Sequence, residues 1–278
     1  MKMCCNLCLV MMDQRLTTSQ ILVDRVTHTY KTETGDLPVL DDLTIEIKKH
    51  RFTAVVGPSG CGKSTLTRLI AGLLIPDEGA VWLNGDKVSS PRSSVGMAFQ
   101  NPVLLEWRTV LKNVNLPLEI IQAKARAPIP ADKGRELLEL VGLAGFEDKR
   151  PSELSGGMKQ RASLCRALVH NPEVLILDEP FAALDAFTRE DLWLTMLRLR
   201  DQEPFTGVLI THDLREAIFL ADEVIVLSGR PATNQYALDL ADFKISTLDD
   251  LYTHDAMDIL NVLRGQIKQA SENGIAVR

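Results

Sequence analysis

The run Gly57-Pro58-Ser59-Gly60-Cys61-Gly62-Lys63-Ser64 limits what this chain can fold into more than any other stretch. It fits the pattern G-x-x-x-x-G-K-[ST], and its flanks supply the context that pattern needs. The apolar, β-branched Phe52-Thr53-Ala54-Val55-Val56 precedes it and reads as a buried strand; Thr65-Leu66-Thr67-Arg68-Leu69-Ile70-Ala71 follows it and reads as a helix. Glycines let the connecting backbone turn tightly and aim successive N–H groups inward, while the helix start adds unpaired N–H groups and a positive dipole end. Such a loop holds phosphate. Lys63 is expected to reach the outer phosphates, and the Ser64 hydroxyl to ligate magnesium.

The rest of the chain reads as strands alternating with helices. Strands are expected over 21–30, 43–47, 80–83, 95–99, 174–177, 208–210 and 224–227, with turns at Gly35-Asp36 and Asn84-Gly85. Helices are expected over 110–121, 131–141, 186–200, 214–220 and 248–270, and a loop over 125–130. Fully apolar strands between helices imply a parallel sheet covered on both faces, with 101–152 as a helical insertion.

Composition narrows the partners. A chain of 278 residues, 45% hydrophobic, has room for one large α/β domain or two small ones. A net charge of −6 argues against a broad basic surface for nucleic acid. No apolar run spans a bilayer, so a membrane role must act through a partner or a surface contact. The cysteines are Cys4, Cys5, Cys8, Cys61 and Cys165; their odd count reads as reduced thiols in a cytoplasm rather than a disulfide framework. The Cys4-Cys5-x-x-Cys8 run has no nearby His or second Cys pair to complete a metal site. Residues 1–18 read as a frayed tail, or Met1 as an upstream start with the working chain beginning near Met11 or Met12. Alkylation of Cys61 is expected to block nucleotide binding by bulk at the phosphates.

Two further stretches carry chemistry. Asp178-Glu179 closes the apolar run 174–177, at the strand end where open α/β sheets bind ligand. Asp178 is expected to hold magnesium and Glu179 to act as general base on the attacking water. In Leu154-Ser155-Gly156-Gly157-Met158-Lys159-Gln160-Arg161, Ser155 is a good N-cap for a helix reaching about 170. That is a second helix start with N–H groups aimed at an anion. Spacing alone leaves open whether both helix starts meet one nucleotide.

Taken in order, these motifs resemble the ATP-binding subunit of ATP-binding-cassette (ABC) transporters, over about residues 21–230. Gly57 to Thr65 match the family's Walker A loop, Gln100 its Q-loop, and Leu154 to Arg161 its signature, with Met158 where Gln is common. Residues 174–179 match Walker B, Ala183-Leu184-Asp185 the D-loop, and His212 the switch histidine. Tyr30 stands where the family stacks an aromatic on adenine. The resemblance implies a P-loop NTPase core with a mostly parallel sheet, an N-terminal antiparallel β subdomain and a helical signature-motif subdomain over about 101–170. The ATPase domain would run over 19–245 and a helical tail over 246–278. It implies ATP and Mg2+, the ion held by Ser64, Gln100 and Asp178, with Lys63, Glu179 and His212 catalytic. The nucleotide would meet Tyr30, Gly57, Pro58, Ser59, Gly60, Cys61, Gly62, Lys63, Ser64, Thr65 and Gln100, and also Ser155, Gly156, Gly157 and Asp185.

The family pairs two copies head to tail, so Ser155, Gly156 and Gly157 would touch the γ-phosphate in the partner copy's site. Membrane permease subunits and, indirectly, a solute-binding protein are the further partners implied, at the cytoplasmic face of the inner membrane; nucleic acid is not. The stretches 99–110 and 181–189 are similar to the nitrate/sulfonate/taurine importer group, with Ala182 where that group usually has Gly. An exporter or lipid-handling cassette shares every catalytic motif. A nucleic-acid-associated cassette fits less well with the length, the compact insertion and the acidic balance.

Overall fold

The computed structural model describes residues 19–125, 132–243 and 245–275; the three N-terminal cysteines, the tail at 1–18 and nearly all of the expected loop at 125–130 lie outside them. In chain order the strands and helices are β1 Ser19–Thr32, β2 Gly35–Lys48, β3 Phe52–Val56, α1 Lys63–Ile70, β4 Glu78–Leu83, β5 Asp86–Lys87, β6 Val95–Ala98, α2 Val110–Val114 and α3 Leu116–Ala125. They continue with α4 Lys133–Leu140, α5 Gly156–Leu168, β7 Val174–Asp178, α6 Ala186–Gln202, β8 Thr206–Ile210, α7 Leu214–Leu220, β9 Glu223–Leu227, β10 Asn234–Asp239 and α8 His254–Ile275. The chain divides into two compact units, Met1–Arg92 with Thr206–Arg278, and Ser93–Phe205.

In the first unit β3 pairs in parallel with both β8 and β9, and β10 closes the edge antiparallel to β9. Every residue of β3 and β8 is buried, as their mostly apolar runs favour, with α7 packed on β3 and α8 on β9. Gly207 is a site of close approach: a Cβ there would lie 2.2 Å from the Phe52 ring. The same unit carries an antiparallel sheet of order β2-β1-β4-β5. Its Asn84-Gly85 turn has φ of 53° and 80°, the paired positive values a two-residue hairpin needs.

In the second unit β6 and β7 pair in parallel from Val95↔Val174 to Ala98↔Leu177. Helix α5 lies directly on β6, and α2 and α4 pack against α5. The α5–β6 approach depends on Gly96, where a Cβ would sit 2.1 Å from the Ala167 carbonyl oxygen and 2.9 Å from the Pro172 ring. Backbone cannot yield as a flexible side chain does. We expect Gly96→Ala to destabilise the fold by about 1–3 kcal/mol, read as a lowered midpoint in thermal or urea unfolding.

Three expectations change at this level, and one strand is new. The β1–β2 turn falls at Glu33-Thr34, and Gly35, with φ +126°, is already paired with Thr32. The helix expected over 110–121 breaks into α2 and α3 at Asn115, because Pro117 has no N–H and fits only the first turn of a new helix. The helix expected over 248–270 begins as a separate 3-10 turn, Leu248–Tyr252, capped by Thr247 and Asp250, before α8 starts. Strand β10 was not expected: as an edge strand with no fully buried residue, it leaves only a weak hydrophobic pattern.

Candidate active site

The loop between β3 and α1 needs its glycines. Gly57, Gly60 and Gly62 have φ of +155°, +72° and +117°. A Cβ on Gly62 would also lie 2.8 Å from Val39 Cγ1. Inside this turn Lys63 is only 8% exposed, and its Nζ donates to the Gly57 and Pro58 carbonyls at 2.9 and 2.8 Å. Two carbonyl dipoles hold this ammonium, so it is a nearly buried cation suited to an anion. Ser59 and Gly60 form the exposed tip, and Ser64 is half-buried at the first turn of α1. The Thr65 hydroxyl lies 3.3 Å from the Tyr30 hydroxyl, bringing the half-buried Tyr30 ring to the helix that follows the loop.

Cys61 lies in the same loop. It is 1% exposed, and burial pushes its thiol up, only partly opposed by the Lys63 ammonium. Its side chain packs inside the loop, the sulfur 4.0 Å from Lys63 Nζ. A raised thiol pKa leaves less thiolate at neutral pH. Iodoacetamide should therefore modify Cys61 at least about tenfold more slowly in the folded chain than in urea, measured by peptide mass.

In the second unit β7 ends on Asp178, which is 5% exposed. The chain then turns at Glu179, whose φ of +48° is unusual for a residue with a side chain. Gln100 Nε2 donates to Glu179 Oε2 at 3.0 Å, so two residues 79 apart in sequence meet. Ser155 caps α5, its Oγ accepting from Met158 N at 3.3 Å, and the first turn carries no acidic side chain. Gly156 is exposed, whereas a Cβ on Gly157 would lie 2.9 Å from Leu184 Cδ2. Asp185 caps α6: Thr188 donates from its backbone N at 3.0 Å and from its hydroxyl at 2.7 Å, holding the Asp185 carboxyl below the usual range.

His212 is exposed just after β8. The turn that presents it was not legible as a site. Thr211 Oγ1 donates to the buried Glu216 at 3.1 Å and accepts from Asp213 N at 3.0 Å, while Asp213 caps α7. A glutamate among Ala217, Ile218, Phe219 and Leu220, all buried, was the available signal.

Residues 40–182 match a protein-family model described as ABC transporter. This chain belongs to the ABC transporter family. The aliphatic sulfonates import ATP-binding protein SsuB of Bacillus cereus is 39% identical, over 76% of this chain and 82% of that protein. The bicarbonate transport ATP-binding protein CmpD of Synechocystis sp. is 39% identical, over 80% of this chain and 78% of that one. Among solved structures, the dimeric post-hydrolysis state of the ATP-binding cassette MJ0796 bound to ADP and Pi aligns with a TM-score of 0.72 and 30% identity. That alignment covers 79% of this chain and 98% of that one. The chain is thus an ABC-type ATP hydrolase with a P-loop NTPase fold.

An ABC ATPase also implies magnesium. Among the described residues no three His, Cys, Asp or Glu side chains converge on a metal cage. Within the second unit the Asp178 carboxylate and the Gln100 amide, and within the first the Ser64 hydroxyl, are oxygen donors of the kind magnesium takes when phosphate and water complete its shell. The donor chemistry fits.

Proposed function

We propose that this chain is the ATP-hydrolysing motor of an importer for a small solute of the nitrate, sulfonate or taurine class, working beneath a separate permease. The observation that carries the importer reading is the 39% identity, across most of both chains, to subunits named for sulfonate import and bicarbonate transport. The nearly buried Lys63 ammonium, which donates to the Gly57 and Pro58 carbonyls, supports the nucleotide assignment.

Lys63 and the loop N–H groups bind the triphosphate, and Tyr30 stacks on adenine. Glu179 accepts a proton from the water that attacks the γ-phosphorus, as the bond to the ADP oxygen breaks. Gln100 orients that carboxylate through its amide, and His212 steadies the γ-phosphate. Bound magnesium, held by Ser64 and Asp178, would neutralise charge on the phosphate oxygens.

Ser155, Gly156 and Gly157 serve the site of a second, head-to-tail copy. Asp185, whose carboxylate caps α6, contributes by shaping the chain at that interface. The segment before α2 supports permease docking. Asn113 ties down Leu105, Arg108 and Thr109 through four hydrogen bonds, while Val103 and Trp107 stay 59% and 72% exposed. Among the described residues no helix is long and apolar enough to cross a membrane. As the motor beneath a permease, its proposed place is peripheral, at the cytoplasmic face.

Two experiments test this. A strain lacking the chain should fail to grow on one nitrogen or sulfur source of this class; normal growth on nitrate, sulfonates and taurine alike would overturn the solute class. Ser155→Arg should keep the ATP affinity of the isolated chain but lower turnover at least about 100-fold, because it damages only the site made with a second copy. Unchanged turnover would remove the signature helix from the mechanism.

A further inference from the structure

We propose that His28 is a positioning residue that fixes the plane of the Tyr30 ring for stacking on the adenine of ATP. The proposal rests on the stacking role given to Tyr30 above.

His28 and Tyr30 are two residues apart on β1 and share one face of the strand. Their rings meet edge to face, with centroids 4.9 Å apart and planes at 85°. At its far end the Tyr30 hydroxyl reaches Thr65 Oγ1, one residue beyond Ser64. The tyrosine ring is therefore held at two points, and the second ties it to the phosphate loop's own helix. A hydroxyl contact fixes where the ring's end lies but leaves the ring free to rotate about its long axis. The perpendicular imidazole removes that freedom.

Stability does not explain a histidine here. His28 is 7% exposed, and neither ring nitrogen has a hydrogen-bond partner. The nearest acid, Asp77 Oδ2, stands 3.7 Å from Nδ1, too far for a hydrogen bond. Burying two polar nitrogens in this way is unfavourable, and an apolar side chain of similar size would avoid it. What the imidazole adds is a flat ring with one polar edge. Asp77 is itself pinned, accepting from Thr29 N at 2.7 Å. It draws that edge toward itself and so sets the imidazole plane against which Tyr30 rests.

The test compares His28→Leu, which fills the space without a flat ring, with His28→Phe, which restores the ring. Each is measured alone and in a Tyr30→Ala background. KM and kcat for ATP are read together with competition by inorganic tripolyphosphate, which has no base to stack. His28→Leu should raise KM for ATP about 3- to 10-fold with kcat unchanged and tripolyphosphate competition unmoved. His28→Phe, which keeps a flat ring but not the polar edge that Asp77 orients, should give a KM between those of the parent and the Leu variant and raise the melting temperature, since it removes the unpartnered nitrogens. In the Tyr30→Ala background His28→Leu should add nothing, the mark of residues acting as one unit. Equal KM values for the Leu and Phe variants, or an undiminished Leu effect without Tyr30, would overturn the positioning role. If Tyr30→Ala alone leaves KM unchanged, the stacking role falls and this proposal with it; if Tyr30→Ala raises KM while His28→Leu does not, only this proposal falls.

Discussion

Glu179→Gln should abolish sustained ATP hydrolysis while leaving ATP binding intact. The two side chains have the same shape, and an amide oxygen at this position can still accept from Gln100 Nε2, which now lies 3.0 Å from Glu179 Oε2. The left-handed turn at Glu179, with φ +48°, makes the same demand of either residue, so the fold is retained. What is lost is a base able to take a proton from the attacking water. General-base contributions of this kind are about 10²- to 10⁴-fold, and kcat should fall by that order. ATP affinity should stay within a few-fold, since the carboxylate contributes to the transition state more than to the ground state. With turnover blocked and ATP bound, a head-to-tail pair of copies should accumulate. Turnover by phosphate release and mass by light scattering, with and without ATP, check both halves. A variant that hydrolyses at the parent rate would take Glu179 out of the chemistry.

The parts of this site that could be read in advance are those whose chemistry is written in short runs of adjacent residues. Gly57 to Ser64 between an apolar strand and a helix, Ser155 before two glycines, and an acidic pair closing an apolar strand each make a local demand that the sequence states directly. The Asn84-Gly85 hairpin was legible for the same reason. What was not legible depends on residues far apart or on the direction of a side chain. Gln100 meeting Glu179 is a long-range contact, and Cys61 turning inward is a rotamer and packing outcome that the motif leaves open. The support beneath His212 combines both, since Thr211, Asp213 and Glu216 become one network only once α7 is packed. Pro117 did signal the break between α2 and α3, but the apolar periodicity across 110–121 outweighed it in a reading based on pattern alone. Strand β10 gave almost no signal, because a half-exposed edge needs few apolar residues.

Lys63→Ala should weaken ATP binding more than any other single substitution in the loop. The ammonium is 8% exposed and is already oriented by two backbone carbonyls, at 2.9 and 2.8 Å from Gly57 and Pro58. Nearly all the cost of placing it there is met in folding, so little reorganisation remains when phosphate arrives. A charge-assisted contact is worth about 1.5–3 kcal/mol, and loss of the cation near a triphosphate removes more than one. Affinity should fall about 10²- to 10³-fold, measured by equilibrium titration with a fluorescent ATP analogue. Lys63→Arg should not restore it. The guanidinium is planar and broader than an ammonium, and the site is closed by Gly57, Pro58 and the Cys61 sulfur, which lies 4.0 Å from Nζ. Charge alone would predict recovery in the arginine variant, whereas a preformed socket for a narrow cation predicts none. If both variants bound ATP like the parent, the loop would be a turn between strand and helix and the phosphate assignment would fail at its first residue.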